Sequence, residues 1–161
     1  MYLGISAYNH ESAAALVDTN GNLVDYYREE SLTRIKGDNS FPKRSIKKII
    51  ANNSLSVEDI NLVAFYERPL SAFLFPLKTA AKEFPNSLPL MSHQLRNFSK
   101  SSITCFSDIS TILKGLEKKL IYLDHHLSHT INALSYSQNK TDLCSVVVDG
   151  FGDRNTTSIS K

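Results

Sequence analysis

Tyr2-Leu-Gly-Ile-Ser-Ala7, Ala13-Ala-Ala-Leu-Val-Asp18 and Leu23-Val-Asp-Tyr-Tyr-Arg28 are the three runs on which the fold turns. Each is short and carries apolar or aromatic residues between polar breaks, which suits a strand better than a helix. Asn20-Gly21 separates the second from the third. That dipeptide accepts the positive φ angles of a two-residue hairpin turn. The first break, Tyr8-Asn-His-Glu-Ser12, is rich in side chains able to bind a ligand. The chain is therefore expected to open with a three-stranded antiparallel meander.

Glu29 to Ser40 is polar and contains Gly37, Asp38 and Asn39, which reads as a loop. Within it, Glu29 and Glu30 are placed to pair with Arg34 or Lys36. Phe41-Pro42 precedes a helix over Lys43–Asn52, with Ile46, Ile49 and Ile50 on one face. Ser56-Val-Glu-Asp59 suits the cap of a single turn. Leu62–Tyr66 is a strand, ended by Arg68-Pro69. Two or three helices are expected in Ser71–Leu116, interrupted by Pro76, Pro85 and Pro89, with a loop from Pro85 to Pro89. Ser107-Asp108 reads as the cap of a helix over Ile109–Glu117. A strand at Lys119–Leu123, a helix at His125–Tyr136, a strand at Leu143–Asp149 and a strand beginning at Thr156–Ser160 follow. Asp153–Thr157 would be the turn of that last hairpin.

Strands alternating with helices after a meander point to an α/β fold with a mixed sheet. Strand one should lie at its centre, with the hairpin strands on one side and the later parallel strands on the other. Helices Lys43–Asn52 and His125–Tyr136 should pack on it. A chain that stops inside a hairpin reads as a piece of a longer protein.

The 161 residues have the length of one domain, with 42% hydrophobic and 21% charged residues, enough for a core and too balanced for disorder. A net charge of +2 gives no basis for nucleic acid or an anionic membrane as partner. No basic segment followed by an apolar run opens the chain, and no apolar stretch approaches the ~18 residues of a membrane span, so a cytoplasmic location is expected. Cys105 and Cys144 read as two buried thiols of a reducing compartment. Lys43-Arg44, Lys47-Lys48, Lys82 and Lys118-Lys119 read as solvated charges.

Three of the five histidines lie in Asp124-His-His-Leu-Ser-His129. On a helix, His125 and His129 are four apart and share a face, the spacing at which two imidazoles hold one metal ion. His126 is turned away by about 100° and is expected to be packed or to orient a neighbour. The strand Leu143–Asp149 delivers Asp149 at its end, and Gly150 and Gly152 then let the backbone turn sharply and approach a ligand. Two histidines and a carboxylate make a metal site. The same residues also suit a helix cap, a satisfied core histidine and the start of a turn.

Leu3–Val17, Glu29-Glu-Ser-Leu-Thr-Arg-Ile-Lys-Gly-Asp38 with Phe41-Pro42, Phe65-Tyr-Glu-Arg-Pro69, and His125-His-Leu-Ser-His129 with Val147-Val-Asp-Gly-Phe-Gly-Asp153 together resemble the carbamoyltransferases of the nodulation and antibiotic-tailoring type. Four motifs in order over nearly the whole chain make the resemblance specific. It implies an actin/hexokinase-like (ribonuclease H-like) half-domain, the N-terminal part of a transferase domain. The second half and a C-terminal domain forming carbamoyl-adenylate would be absent. It implies transfer of a carbamoyl group from carbamoyl phosphate and ATP, via carbamoyl-adenylate, to a hydroxyl of a sugar or similar acceptor. It also implies a divalent metal, iron(II) first with zinc or manganese as alternatives, held by His125, His129 and Asp149; Asp149 is preferred to Asp153. A further aspartate would come from the missing half.

On the same basis His10 is the candidate general base, and Lys36 and Arg68 suit carbamoyl or phosphate oxygens, with Gly150 and Gly152 beside the nucleotide. Without the resemblance, His10 reads as a surface loop histidine and the two cations as solvated charges. Two other readings stand beside this one. One is a transferase of the tRNA threonylcarbamoyl-adenosine type, whose motif would need Glu-Gly where Leu127-Ser128 stands. The other is a non-catalytic nucleotide-binding module of the actin/sugar-kinase superfamily.

Overall fold

The computed structural model describes residues 1–8, 11–89, 91–92, 100–112, 114–137, 141–150 and 154–161, with backbone alone at 72, 73 and 100–103. It divides into two units. The first comprises Met1–Tyr66 and Ser99–Tyr122, the second Glu67–Phe98 and Leu123–Lys161.

The first unit is built on a five-stranded mixed sheet in the order β3-β2-β1-β4-β5. Its strands are β1 (Tyr2–Ser6), β2 (Ala13–Val17), β3 (Leu23–Arg28), β4 (Leu62–Phe65) and β5 (Leu120–Tyr122). β1 is central, antiparallel to β2 and parallel to β4. Successive side chains of a strand point to opposite faces, so register decides what meets across the sheet. Leu3 stands opposite Leu16 and Val63, and Ile5 opposite Ala14 and Phe65. All six are buried, forming one apolar layer. The β2–β3 turn closes on Asp18, whose carboxylate accepts the Asn20 and Asn22 N–H groups, while Gly21 takes φ +88°.

Helix α2 (Lys43–Asn52) covers β2 and β3, burying Ile46 and Ile49 one turn apart. Glu29 to Ser40 is not the simple loop the composition suggests, because its first residues form a short helix, α1 (Glu29–Thr33). Its buried residue is a glutamate, so apolar periodicity could not reveal it. Glu29 is 2% exposed. Its carboxylate accepts the Arg44 N–H at 2.9 Å, the Ser45 N–H at 2.8 Å and the Ser45 hydroxyl at 2.6 Å. Pro42, at the N-cap of α2, offers no side-chain acceptor, so Glu29 satisfies the open N–H groups of that helix from outside. It does not pair with Arg34 or Lys36 as expected; Glu30 pairs with Arg28 and accepts the Gly37 N–H.

The rest of this segment is tied to the strand ends. Ser12 N–H donates to the Asp38 carbonyl, Tyr8 N–H to the Asn39 carbonyl and Glu29 N–H to the Ser12 carbonyl. The Asp38 carboxylate accepts from the Ser40 N–H and the Thr33 hydroxyl. These bonds, those from Ser40 first, hold its pKa below the usual value.

Pro76 does not interrupt the helix in which it lies. α3 runs unbroken over Pro69–Lys82. A proline removes one donor, and the flanking turns keep their own bonds. Helix α4 runs over Lys100–Ser110, upstream of the span expected from Ser107-Asp108. Cys105 and Ile109, four apart and buried, place that face on the core. Asp108 is thus inside the last turns rather than at a cap. Its carboxylate accepts from the Tyr8 hydroxyl at 2.9 Å and Thr104 at 3.0 Å, and pairs with Lys43 at 3.4 Å. Lys119 is likewise no solvent charge, donating to the Val57 and Ile60 carbonyls.

The second unit contains α3, helix α5 (His125–Ser135) and a two-stranded antiparallel ribbon of β6 (Ser145–Val148) and β7 (Thr157–Ser160). Within this unit α5 packs on β6. The hairpin expected of the run at 143–149 with Thr156–Ser160 is present as this ribbon. The only partner of β6 among the described residues is β7. Cys144 lies ahead of β6 and is exposed, whereas Cys105 is buried as expected. No helix among the described residues is long and apolar enough to cross a membrane.

Glu29→Ala leaves two backbone donors of α2, one of them buried, without an acceptor and should lower unfolding free energy by about 2 kcal/mol, read from urea denaturation. Tyr8 is pushed well above its ordinary pKa of 10, first by burial and then by its bond to Asp108. The folded state therefore keeps a proton that the unfolded state loses. The stability this contributes is complete below pH 10 and declines as pH rises above it. Tyr8→Phe should flatten that alkaline decline in a series of denaturation curves.

Candidate metal centre

Asp124 starts α5. It holds extended backbone, and its carboxylate accepts the Leu127 N–H at 3.3 Å. This N-cap fixes where the helix begins and hence which residues share a face. His125 and His129 fall one turn apart, their ring centroids 4.7 Å from each other. Across from them, β6 ends at Val148 and Asp149 follows, its N–H donating to the Thr156 carbonyl at 2.8 Å. Along β6, Ser145, Val147 and Asp149 alternate onto one face. Val147 on that face is buried, while Val146 and Val148 on the other are exposed.

The three side chains converge. His125 Nε2 lies 2.7 Å from Asp149 Oδ2, His129 Nε2 lies 3.4 Å from the same oxygen, and the two Nε2 atoms are 3.1 Å apart. Each residue offers one ligand atom to the group. Ligand bonds of about 2.0–2.2 Å at angles between octahedral and tetrahedral put neighbouring donors about 2.8–3.6 Å apart. Two edges of the triangle, 3.1 and 3.4 Å, fall within that range, and the third, 2.7 Å, lies just below it. The chemistry of the triangle fits as well. Protons on the two Nε2 atoms can each point at Asp149 Oδ2, and one divalent cation among the three atoms would meet them all together. His125 is 7% exposed, while His129 is exposed and Asp149 half-buried, which leaves one side of the triangle open to a further ligand.

His126 leaves the triangle for the ribbon, its Nδ1 2.7 Å from Ser158 Oγ. Lys36 lies exposed in a turn of the first unit, and Arg68 is exposed at the N-cap of α3 in the second. Gly150 directly follows Asp149 and is exposed, with open space where a Cβ would stand. His10, Gly152 and Asp153 lie outside the described residues.

Sequence reasoning did not find a cavity of about 650 Å3 in the first unit, lined among others by Tyr8, Thr33, Phe41, Lys43, Arg44 and Asp108. Tyr8 at φ +80° was the feature that could have drawn attention, but a positive φ at tyrosine cannot be read from sequence. Nor did spacing reveal that Asp124 caps α5.

A family model described as "Carbamoyltransferase N-terminus" matches residues 1–160. An uncharacterized protein of Synechocystis is 34% identical over 167 residues, covering 98% of this chain and 26% of its own length. Nodulation protein NolNO of Sinorhizobium fredii is 28% identical over 158 residues, covering 92% of this chain and 20% of its own length. The chain thus spans about a quarter or less of these relatives.

Asp149→Asn removes the anionic corner of the triangle while keeping its shape. Loss of an outer partner of a metal ligand costs about 10–100-fold in affinity, and loss of the ligand charge should cost at least that. Zinc titration against a chromophoric chelator measures it.

Proposed function

The chain belongs to the carbamoyltransferase N-terminus family, and on that premise we propose that it is part of an enzyme moving a carbamoyl group to a hydroxyl acceptor. The observation that carries the reading is the convergence of His125, His129 and Asp149 within a chain matched by that family from residue 1 to 160. The donor would be carbamoyl phosphate, activated with ATP as carbamoyl-adenylate in another part of the protein. The acceptor would be a hydroxyl of a sugar or similar molecule; the name of the nodulation relative is compatible with this. The strand order β3-β2-β1-β4-β5, three antiparallel strands followed by two parallel ones, supports an actin/hexokinase-like, ribonuclease H-like half.

His125, His129 and Asp149 would hold a divalent ion, with iron(II) first and zinc or manganese next. When bound, that ion would offset negative charge on phosphate oxygens. The chain's own part is to present two imidazoles and one carboxylate already gathered by α5 and the end of β6. Gly150 lets the backbone after Asp149 come close to a ligand, because no Cβ stands there. Lys36 and Arg68 would bind carbamoyl or phosphate oxygens by charge-assisted hydrogen bonds. His10 would take the acceptor's proton.

The test is made in the full polypeptide. His125→Ala and His129→Ala should each lose bound metal, measured by elemental analysis, and lose carbamoyl transfer from labelled carbamoyl phosphate by about 100-fold or more, with circular dichroism unchanged. Wild-type metal content and turnover in both variants would overturn the reading.

A further inference from the structure

α5 carries two ridges of residues four apart. His125 and His129 form one and meet Asp149. His126 and Thr130 form the other, both buried, and meet the ribbon: His126 Nδ1 is 2.7 Å from Ser158 Oγ, and Thr130 Oγ1 is 3.1 Å from Ser145 Oγ. The ribbon's register puts these contacts on one face. Ser145 stands opposite Ser160, and Val147 opposite Ser158. By the alternation of a strand, Ser145, Val147 and Asp149 share that face. The face that ties the ribbon to the helix is therefore the face that delivers Asp149.

The two ties are not equivalent. Ser145 is four residues from Asp149, at the far end of β6. Ser158 is paired with Val147, two residues from Asp149. The backbone bond from Asp149 N–H to Thr156 then closes the ribbon just beyond. His126 itself is 6% exposed, and its Nε2 has no hydrogen-bond partner among the described residues. Its ring is thus held by Nδ1. An apolar side chain could fill the same space without leaving a buried nitrogen unpaired.

We propose that His126 and Ser158 are a positioning pair for the metal ligands: their hydrogen bond sets how closely Asp149 approaches His125 and His129. This rests on the metal reading above and assigns the middle histidine of His125-His-Leu-Ser-His129 a role that ligation does not. His126 is not a ligand here. It fixes the helix against the ribbon at the point where the third ligand leaves it, as outer partners do for metal ligands generally.

The test is cobalt(II) titration of the full chain, followed by visible absorption, for wild type, His126→Leu, Ser158→Ala, the double variant and His126→Asn. Thermal unfolding without metal is measured alongside. Each of the first two variants should lose about 10–100-fold in cobalt affinity and shift the cobalt band pattern. The double variant should lose no more than the worse single one, because one bond is removed either way. His126→Asn places an amide atom where Nδ1 stood and should recover most of the affinity and the band pattern. Additive losses, or variants that are merely less stable while binding cobalt as wild type does, would overturn the proposal. If His126→Leu does not fold, Ser158→Ala decides alone: a tenfold loss supports the pair, and unchanged affinity refutes it. A wild-type chain that binds no cobalt refutes the metal reading and this one with it. Wild-type binding with unchanged variants refutes this one alone.

Discussion

β1 is paired along both edges, antiparallel to β2 and parallel to β4, and the first unit depends on that arrangement. With both edges bonded, the only freedom left to the strand is which face carries its apolar residues. Leu3 and Ile5 settle it, and register carries the choice outward to Leu16, Ala14, Val63 and Phe65. A parallel neighbour also demands a long return connection. The intervening β2, β3, α1 and α2 supply it and cover the sheet on the way, so pairing and burial are solved by the same stretch of chain.

Three carboxylates inside this unit hold its segments together. Glu29 serves the open end of α2, and Asp38 gathers Ser40 and Thr33. Asp108 draws Tyr8, Thr104 and Lys43 together. Each is a carboxylate whose acceptor capacity is used by named donors, which is the condition for burying or half-burying such a group. Their arrangement fixes the segment from Glu29 to Ser40, and with it the backbone to which Tyr8 and Ser12 are bonded at either side of residues 9 and 10.

In the second unit the candidate centre arises where two periodicities meet. A helix repeats near 3.6 residues and so offers neighbouring ridges one residue out of phase. A strand repeats at two and offers one face. His125 and His129 use the first ridge, His126 and Thr130 the second, and the ribbon answers both from the face of Ser145, Ser158 and Asp149. Gathering the three candidate ligands and docking the helix are therefore the same packing event.

What the sequence determined by itself was local. Alternating apolar residues and Asn20-Gly21 specified the meander, because strand pleat and turn φ are near-neighbour properties. Pro42 with Ile46, Ile49 and Ile50 specified α2, and the i, i+4 spacing placed His125 and His129 on one face. The tertiary structure alone decided the rest. Glu29 reads as a salt-bridge partner of Arg34 or Lys36 until α2 is brought to it, and Ser107-Asp108 reads as a cap until Cys105 and Ile109 find the core. Pro76 reads as a break until α3 runs through it. The strand at β6 was visible in Val146, Val147 and Val148, and its hairpin partner in Thr156–Ser160, but that the two form a sheet of their own was not. Pairing joins residues distant in the chain, and the free energy that selects one partner over another comes from burial and donor satisfaction that exist only once the elements have met.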